Sequence, residues 1–180
     1  MTYERLSVRG RTITVRRCAG ETTRGILTVD GQAIPVALGR GGLRANKREG
    51  DGGTPTGAFK PLRLWWRKDR HARPKTALPV RAIRPDDGWC EDPSHRRYNR
   101  PVRLAAESNA DRLMRADHLY DFIVEIDHNT RPRVSGRGSA VFLHLARPGF
   151  APTAGCIAMT HGAMLRLLER LSRRTRIVVG

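Results

Sequence analysis

The chain has 180 residues, 39% of them hydrophobic but only 6% aromatic, and 34 Lys and Arg set against 17 Asp and Glu give a formal charge of +17. That length suits a single domain with a real core, and no apolar run approaches the roughly 20 residues needed to span a bilayer. The charge favours polyanionic surroundings. Without a zinc-finger, helix-turn-helix or RNP-like aromatic signature, however, it does not point to nucleic acid.

In chain order, Leu6, Val8, Ile13 and Val15 alternate around Gly10-Arg11 and predict an N-terminal hairpin. Asp30-Gly31 predicts a tighter turn between Ile26–Val29 and Ala33–Leu38, with Pro35 arguing for an edge or a break in the second strand. Glycines then cluster over 39–57 among Arg40, Arg44 and Lys47. This segment reads either as a surface connection or as a basic wall of a groove. No Gly-Lys-[Ser/Thr] closes it as a phosphate loop, so no cofactor is expected. Phe59–Trp66 reads as a strand, and the Pro- and Arg-rich stretch 68–103 as a long insertion with short strands. Within it Trp89, Tyr98 and Asn99 either line a cleft or anchor the loop to the core.

Ser108 with Asp111 predicts a capped short helix carrying Leu113 and Met114, and Tyr120–Asp127 a strand ending at His128-Asn129. His128 suits either a substrate contact or a turn-stabilising hydrogen bond. After the loop that follows Cys156, Thr160 predicts an N-cap, and Met164, Leu165, Leu167, Leu168 and Leu171 an amphipathic helix over 162–174. Arg176–Val179 closes the chain as a strand. The cysteines at 18, 90 and 156 form no Cys-x-x-Cys pair and no His/Cys ligand set, so no metal site is expected, and a Cys18–Cys90 disulfide stays open.

The chemistry concentrates near the C-terminus. Ser139–Leu145 predicts a strand on which Ala140, Phe142 and His144 share one face; Arg147-Pro148-Gly149 and Pro152 mark a loop; Thr153-Ala154-Gly155-Cys156 follows. Taken singly, Cys156 reads as a buried core thiol and His144 as a hydrogen-bonded core histidine. Taken together, twelve residues apart across a loop, they make a nucleophile and its base. Gly155 lets the backbone turn and present amides to an oxyanion.

These residues resemble the YkuD-type L,D-transpeptidases, whose motif is a strand-borne His followed by [Ser/Thr]-x-Gly-Cys-[Ile/Val], matched at His144, Thr153, Gly155, Cys156 and Ile157. Thr54-Pro55-Thr56-Gly57-Ala58-Phe59 resembles the family's Thr-Pro-x-Gly-x-Phe segment, and blocks at 38–42, 87–90 and 136–140 look like a divergent proteobacterial branch. The resemblance implies a mainly β fold with a few α-helices, a β-sandwich or half-open barrel. It would form one domain in which residues 1–24 add N-terminal strands to a catalytic unit over 25–180. Two positions depart from the family pattern: Ala154 stands where members commonly have His, and Ala158 where they have Arg, a fork suited to a carboxylate.

The implied activity is a cysteine-dependent peptidoglycan transpeptidase. Cys156 would act as nucleophile, His144 as base and Gly155 with its neighbour as oxyanion donors, with Thr153, His128, Asn129, Tyr98, Trp89 and Arg40 contacting substrate. The branch resemblance points to links between L-Ala at position 1 and diaminopimelate at position 3 instead of 3→3 links. Water in place of the second stem would make the same machinery an L,D-carboxypeptidase or endopeptidase. A catalytically idle wall- or nucleic-acid-binding module is the alternative from another class. The expected partners are peptidoglycan stem peptides as donor and acceptor, the expected state a monomer, and the expected place the periplasm. Met1-Thr2-Tyr3-Glu4-Arg5 nonetheless lacks the basic and then apolar regions of a secretory signal.

Overall fold

A computed structural model describes residues 11–105 and 110–180. The expectations for Leu6, Val8 and Ser108 fall outside the described residues. The first described strand, β1 (Thr12–Arg17), buries Ile13 and Val15 between exposed neighbours, as its alternation predicts. β2 (Arg24–Val29) and β3 (Gln32–Ala37) join through Asp30 and Gly31 at φ 48° and 74°, the left-handed pair whose twist matches antiparallel strands. Pro35 does not break β3. It lies opposite Ile26, while on the other side the neighbouring strand reaches β3 only at Ala37, so the missing N–H interrupts no ladder.

Short strands β4 (Leu43–Arg44) and β5 (Thr54–Pro55) pair with each other, and β6 (Gly57–Phe59) and β7 (Pro61–Trp66) follow. The insertion supplies β8 (Val80–Ala82), β9 (Asp87–Cys90) and β10 (Arg100–Arg103). β11 (Asp111–Arg112) stands where a helix is expected: pairing with β9 claims these residues, and Leu113 packs into the core. Local capping propensity gives way there to a tertiary ladder. Then come β12 (Phe122–Ile126), β13 (Phe142–Leu145), a 3₁₀ turn at Pro148–Phe150, β14 (Ile157–Met159), α1 (His161–Leu168) and β15 (Arg176–Val179).

Ten strands form one curled sheet, a half-barrel, in the order β6-β15-β1-β2-β3-β14-β13-β12-β7-β8; β10-β9-β11 make a separate three-stranded sheet. The fold is mainly β and a single domain, with one α-helix among the described residues. Thr160 caps α1, its hydroxyl accepting the Ala163 N–H. The helix ends at Leu168, earlier than its apolar spacing predicts, because Arg170 and Leu171 turn back to the carbonyls three residues before them. Leu171 stays buried all the same. Cys18, Cys90 and Cys156 are all free thiols, so the possible Cys18–Cys90 disulfide is not formed.

The curled sheet has two apolar faces. Leu143, Leu145, Ile157 and Met159 join α1 in the main core, while Phe142 and Cys156 pack on the opposite side with Trp65, Trp89, Leu113 and Ile123. Fully burying each large apolar side chain is worth about 1.5–3 kcal/mol. The second cluster thus holds the three-stranded sheet against the strands that carry the thiol.

Candidate active site

β13 and β14 run parallel, with Leu143 opposite Ile157 and His144 opposite Ala158. Because side chains alternate along a strand, His144, Ala158 and the preceding Cys156 fall on one side. The His144 and Cys156 residues are each only 7% exposed, yet both line a cleft of about 640 Å³. Arg40, Thr153, Ala154 and Ala158 also line it, joined by Glu91, Asp111, Arg115, Tyr120 and Arg147.

The loop before Cys156 rests on a floor made by the glycine-rich segment. Gly155 has φ +142°, and a Cβ there would lie 2.8 Å from the Gly53 carbonyl oxygen; at Gly39 it would lie 2.1 Å from the Gly52 oxygen and 3.0 Å from the Gly155 Cα. Only glycine fits this approach of backbone to backbone. Two threonines fasten the layers. Thr54 Oγ1 accepts the Gly39 N–H at 2.8 Å and donates to the Cys156 carbonyl at 3.4 Å. Thr153 Oγ1 accepts the Gly155 N–H at 3.1 Å and donates to the same carbonyl at 2.7 Å. The Gly155 amide, expected to face an oxyanion, is therefore taken in this state, whereas the Cys156 amide has no acceptor among the described residues. Lys47, buried beneath, pairs with Asp51 at 2.5 Å, and Asp51 in turn accepts the Gly53 N–H at 2.8 Å.

The Cys156 sulfur receives the Phe142 N–H at 3.3 Å, and the thiol donates to the Ala140 carbonyl at 3.2 Å. Among the described residues these are its hydrogen-bond partners; no bond joins it to the His144 ring. His144 Nδ1 lies 2.8 Å from the Leu145 carbonyl oxygen. A carbonyl only accepts, so Nδ1 carries the proton and Nε2 keeps a free lone pair. Burial pushes the His144 pKa down to about 4 and the Cys156 pKa up to about 12. The resting thiol and imidazole are both neutral. The Tyr120 ring meets the His144 ring edge-on at 5.5 Å, and its hydroxyl donates to Asp111 at 3.1 Å.

Of the substrate contacts expected from sequence, Arg40 and Thr153 line the cleft; Trp89, Tyr98, His128 and Asn129 do not. These four brace the loops around it. Trp89 Nε1 donates to Asn99 Oδ1 at 3.0 Å, and Asn99 Nδ2 reaches the His128 and Asn129 carbonyls at 3.1 and 2.9 Å. Tyr98 donates to Glu49, His128 Nε2 donates to the Arg137 carbonyl at 3.1 Å, and Asn129 bonds Val134 and Gly138. Sequence reasoning missed Glu91, Asp111, Arg115, Tyr120 and Arg147 as cleft residues, since the stretch 111–120 meets Glu91 and Arg147 only through the fold and leaves no local pattern. Among the described residues no three His, Cys, Asp or Glu side chains converge as metal ligands.

The family model for the YkuD L,D-transpeptidase catalytic domain matches residues 19–179. No curated protein matches the chain. Among solved structures, an L,D-transpeptidase from Mycobacterium smegmatis is similar at 13% identity and a TM-score of 0.46, covering 94% of this chain and 58% of its own. One from Mycobacterium tuberculosis H37Rv stands at 10% and 0.41, covering 95% and 57%. L,D-transpeptidase 1 from Mycobacterium tuberculosis stands at 13% and 0.40, covering 94% and 62%. The chain thus spans about three-fifths of the length of these structures.

Proposed function

Since the chain belongs to the YkuD family of L,D-transpeptidase catalytic domains, we propose that it is a cysteine-dependent peptidoglycan transpeptidase working through a thioester on Cys156. The observation that carries this reading is that Cys156, just before β14, and His144, on the parallel neighbour β13, are both neutral and open into one cleft.

In the proposed sequence a donor stem peptide enters the cleft and displaces the thiol from the Ala140 carbonyl. The thiol proton passes to His144 Nε2, whose opposite nitrogen is steadied by Leu145, and sulfur attacks the carbonyl carbon of an L,D peptide bond. The Cys156 amide is the nearest donor for the oxyanion, and Gly155 joins it once Thr153 releases the bond it holds. His144 then protonates the departing amine, leaving the thioester. The amine of a second stem attacks, the C–S bond breaks, and the proton returns to sulfur. Water in the acceptor's place gives trimming instead of cross-linking.

Ala158, where the family pattern has Arg, faces the cleft and cannot hold a carboxylate, but Arg40, Arg115 and Arg147 line the same space from other loops. We assign donor carboxylate binding to Arg40 and Arg147, since Asp117 already holds the Arg115 guanidinium through two bonds of 2.9 and 2.7 Å. The resemblance to the divergent branch carries the further proposal of 1→3 links over 3→3 links, and action on the wall would put the protein outside the cytoplasm. The test is incubation with purified muropeptides, reading products and the intact protein mass beside Cys156→Ala. Thiol-dependent dimers with a transient mass gain on Cys156 are expected. Trimmed monomers would assign hydrolysis, and unchanged muropeptides with no adduct would remove the enzyme reading.

A further inference from the structure

A second cavity, of about 490 Å³, adjoins the first, and Glu91 is the residue common to the walls of both. On one side of Glu91 lie Cys156 and His144; on the other lie Cys90, His95, Arg96, Arg97 and Arg103. The two spaces are each large enough for a small peptide end. Their chemistry differs. The first contains the proposed nucleophile; the second contains three guanidiniums and two carboxylates, Asp92, which is tied to the Ser94 hydroxyl at 2.7 Å, and Glu91 at the exit toward the first.

We propose, building on the transpeptidase reading, that the second cavity is the acceptor subsite. It takes a peptide end bearing both an ammonium and a carboxylate, with the carboxylate on Arg96 and Arg97 and the ammonium on Glu91. A planar guanidinium pairs with a carboxylate through two parallel N–H bonds, which orients the bound end as well as holding it. Arg96 has no ion-pair partner among the described residues, and Arg97 uses one nitrogen weakly on the Pro101 carbonyl at 3.3 Å. Arg103 is already engaged by Asp86 and Asp87 at 2.6 and 3.0 Å, which makes it a wall and not a reader. The backbone is held too: the Arg97 N–H donates to His95 Nδ1 at 3.0 Å, and the same nitrogen sits 3.6 Å from the Cys90 sulfur.

Glu91 has no hydrogen-bond partner among the described residues. The residue as a whole is exposed, yet desolvation of its carboxyl, reinforced by the Asp111 and Glu49 carboxylates, lifts its pKa to about 7. At the junction of the two cavities its carboxylate can hold an ammonium on the acceptor side and take a proton from it as the amine attacks. One proton of the bound ammonium goes to Glu91. The freed amine forms the N–C bond to the thioester carbonyl as the C–S bond breaks, and its second proton reaches the Cys156 sulfur through His144. Glu91 returns its own proton to solvent, so atoms and charge balance over one turnover.

The test separates this subsite from the transpeptidase reading. The Cys156→Ala protein, unable to react, is titrated calorimetrically with a stem tripeptide ending in diaminopimelate. Glu91→Gln, or Arg96→Ala with Arg97→Ala, is expected to weaken binding roughly tenfold, the size of one lost charged hydrogen bond. Acetylating the side-chain amine of the tripeptide is expected to do the same with the protein otherwise unchanged, which keeps the test sound if a variant misfolds. Binding that none of these changes moves, or no binding at all, overturns the subsite. Separately, donor acylation of Cys156 is followed by intact mass in an otherwise native chain. Arg96→Ala with Arg97→Ala, at residues that line only the second cavity, is expected to keep the acyl-enzyme while transfer falls at least tenfold and hydrolysis persists. No acylation of the native protein would sink the transpeptidase reading and leave the calorimetry to decide the subsite.

Discussion

The floor and the rim of the cleft are built on opposite principles. The floor, Gly39, Gly52–Thr54 and Thr153–Cys156, holds its place through backbone packed on backbone with two threonine hydroxyls as fasteners. The rim is a set of charged and aromatic side chains, Asp111, Arg115 and Tyr120 from one stretch of chain with Glu91 and Arg147 from two others. A floor of this kind tolerates almost no added atom, whereas a rim of this kind can be rewritten one side chain at a time. Position belongs to the first and recognition to the second, the usual division between rigid elements and the loops they carry.

The largest break in this contrast is removal of the reacting atom. Cys156→Ala is expected to lower cross-link formation by at least about 10³-fold while the fold persists. Product analysis checks the first half and a melting curve the second.

Burial of the imidazole in the cleft gives the next effect, and its sign is fixed. His144 titrates near 4 in the folded chain and near 6.5 when unfolded. Below pH 6.5 the unfolded state therefore binds the proton more readily, and stability falls as pH drops from about 6.5 to about 4, by roughly 3 kcal/mol in all. Denaturant titrations across that window should show this slope in the native chain and its loss in His144→Gln. An unaltered slope would mean that the ring is not buried neutral.

A glycine pair sharpens the account of the floor. Gly155 and Gly20 both have positive φ, but a Cβ at Gly155 meets the Gly53 oxygen at 2.8 Å and one at Gly20 meets nothing within 4 Å. Gly155→Ala should cost about 2–3 kcal/mol and Gly20→Ala about 1 kcal/mol, the difference coming from the crowding and from a φ of +142° that side chains tolerate less than the +75° of Gly20. Equal costs, measured by chemical denaturation, would dissolve the distinction between floor and surface turn.

The smallest effect belongs to the charged three-stranded sheet. The Arg103 side chain is 47% exposed in its pairing with Asp86. Arg103→Ala should change stability by no more than about 1 kcal/mol. A loss of several kcal/mol in the same measurement would show that this region is as tightly built as the floor.

The difference between floor and rim also governs how much could be read in advance. The Asp30-Gly31 hairpin, the Thr160 cap and the placing of Phe142 and His144 on one side of β13 rest on neighbours in sequence, where local geometry decides, whereas Ala140, at φ 50°, falls outside the strand expected over Ser139–Leu145. Ser108–Met114 shows the limit. The capping pattern is genuine, but β11 forms because β9 offers a partner more than twenty residues away in the chain. His128, Asn129, Tyr98 and Trp89 likewise look like binding residues by type and position. Their partners turn out to be backbone carbonyls, Asn99 and Glu49, and no sequence pattern announces such a pairing.

Sequence was sufficient for a mainly β domain, for the thiol and imidazole, and for the glycines that flank them, because alternation, turn chemistry and motif spacing are short-range properties. Tertiary structure alone decided that the glycine-rich segment lies beneath Gly155, that the imidazole and thiol rest uncharged, and that carboxylates and guanidiniums from distant loops surround them. Burial and long-range apposition set those features, and both exist only once the chain has closed on itself.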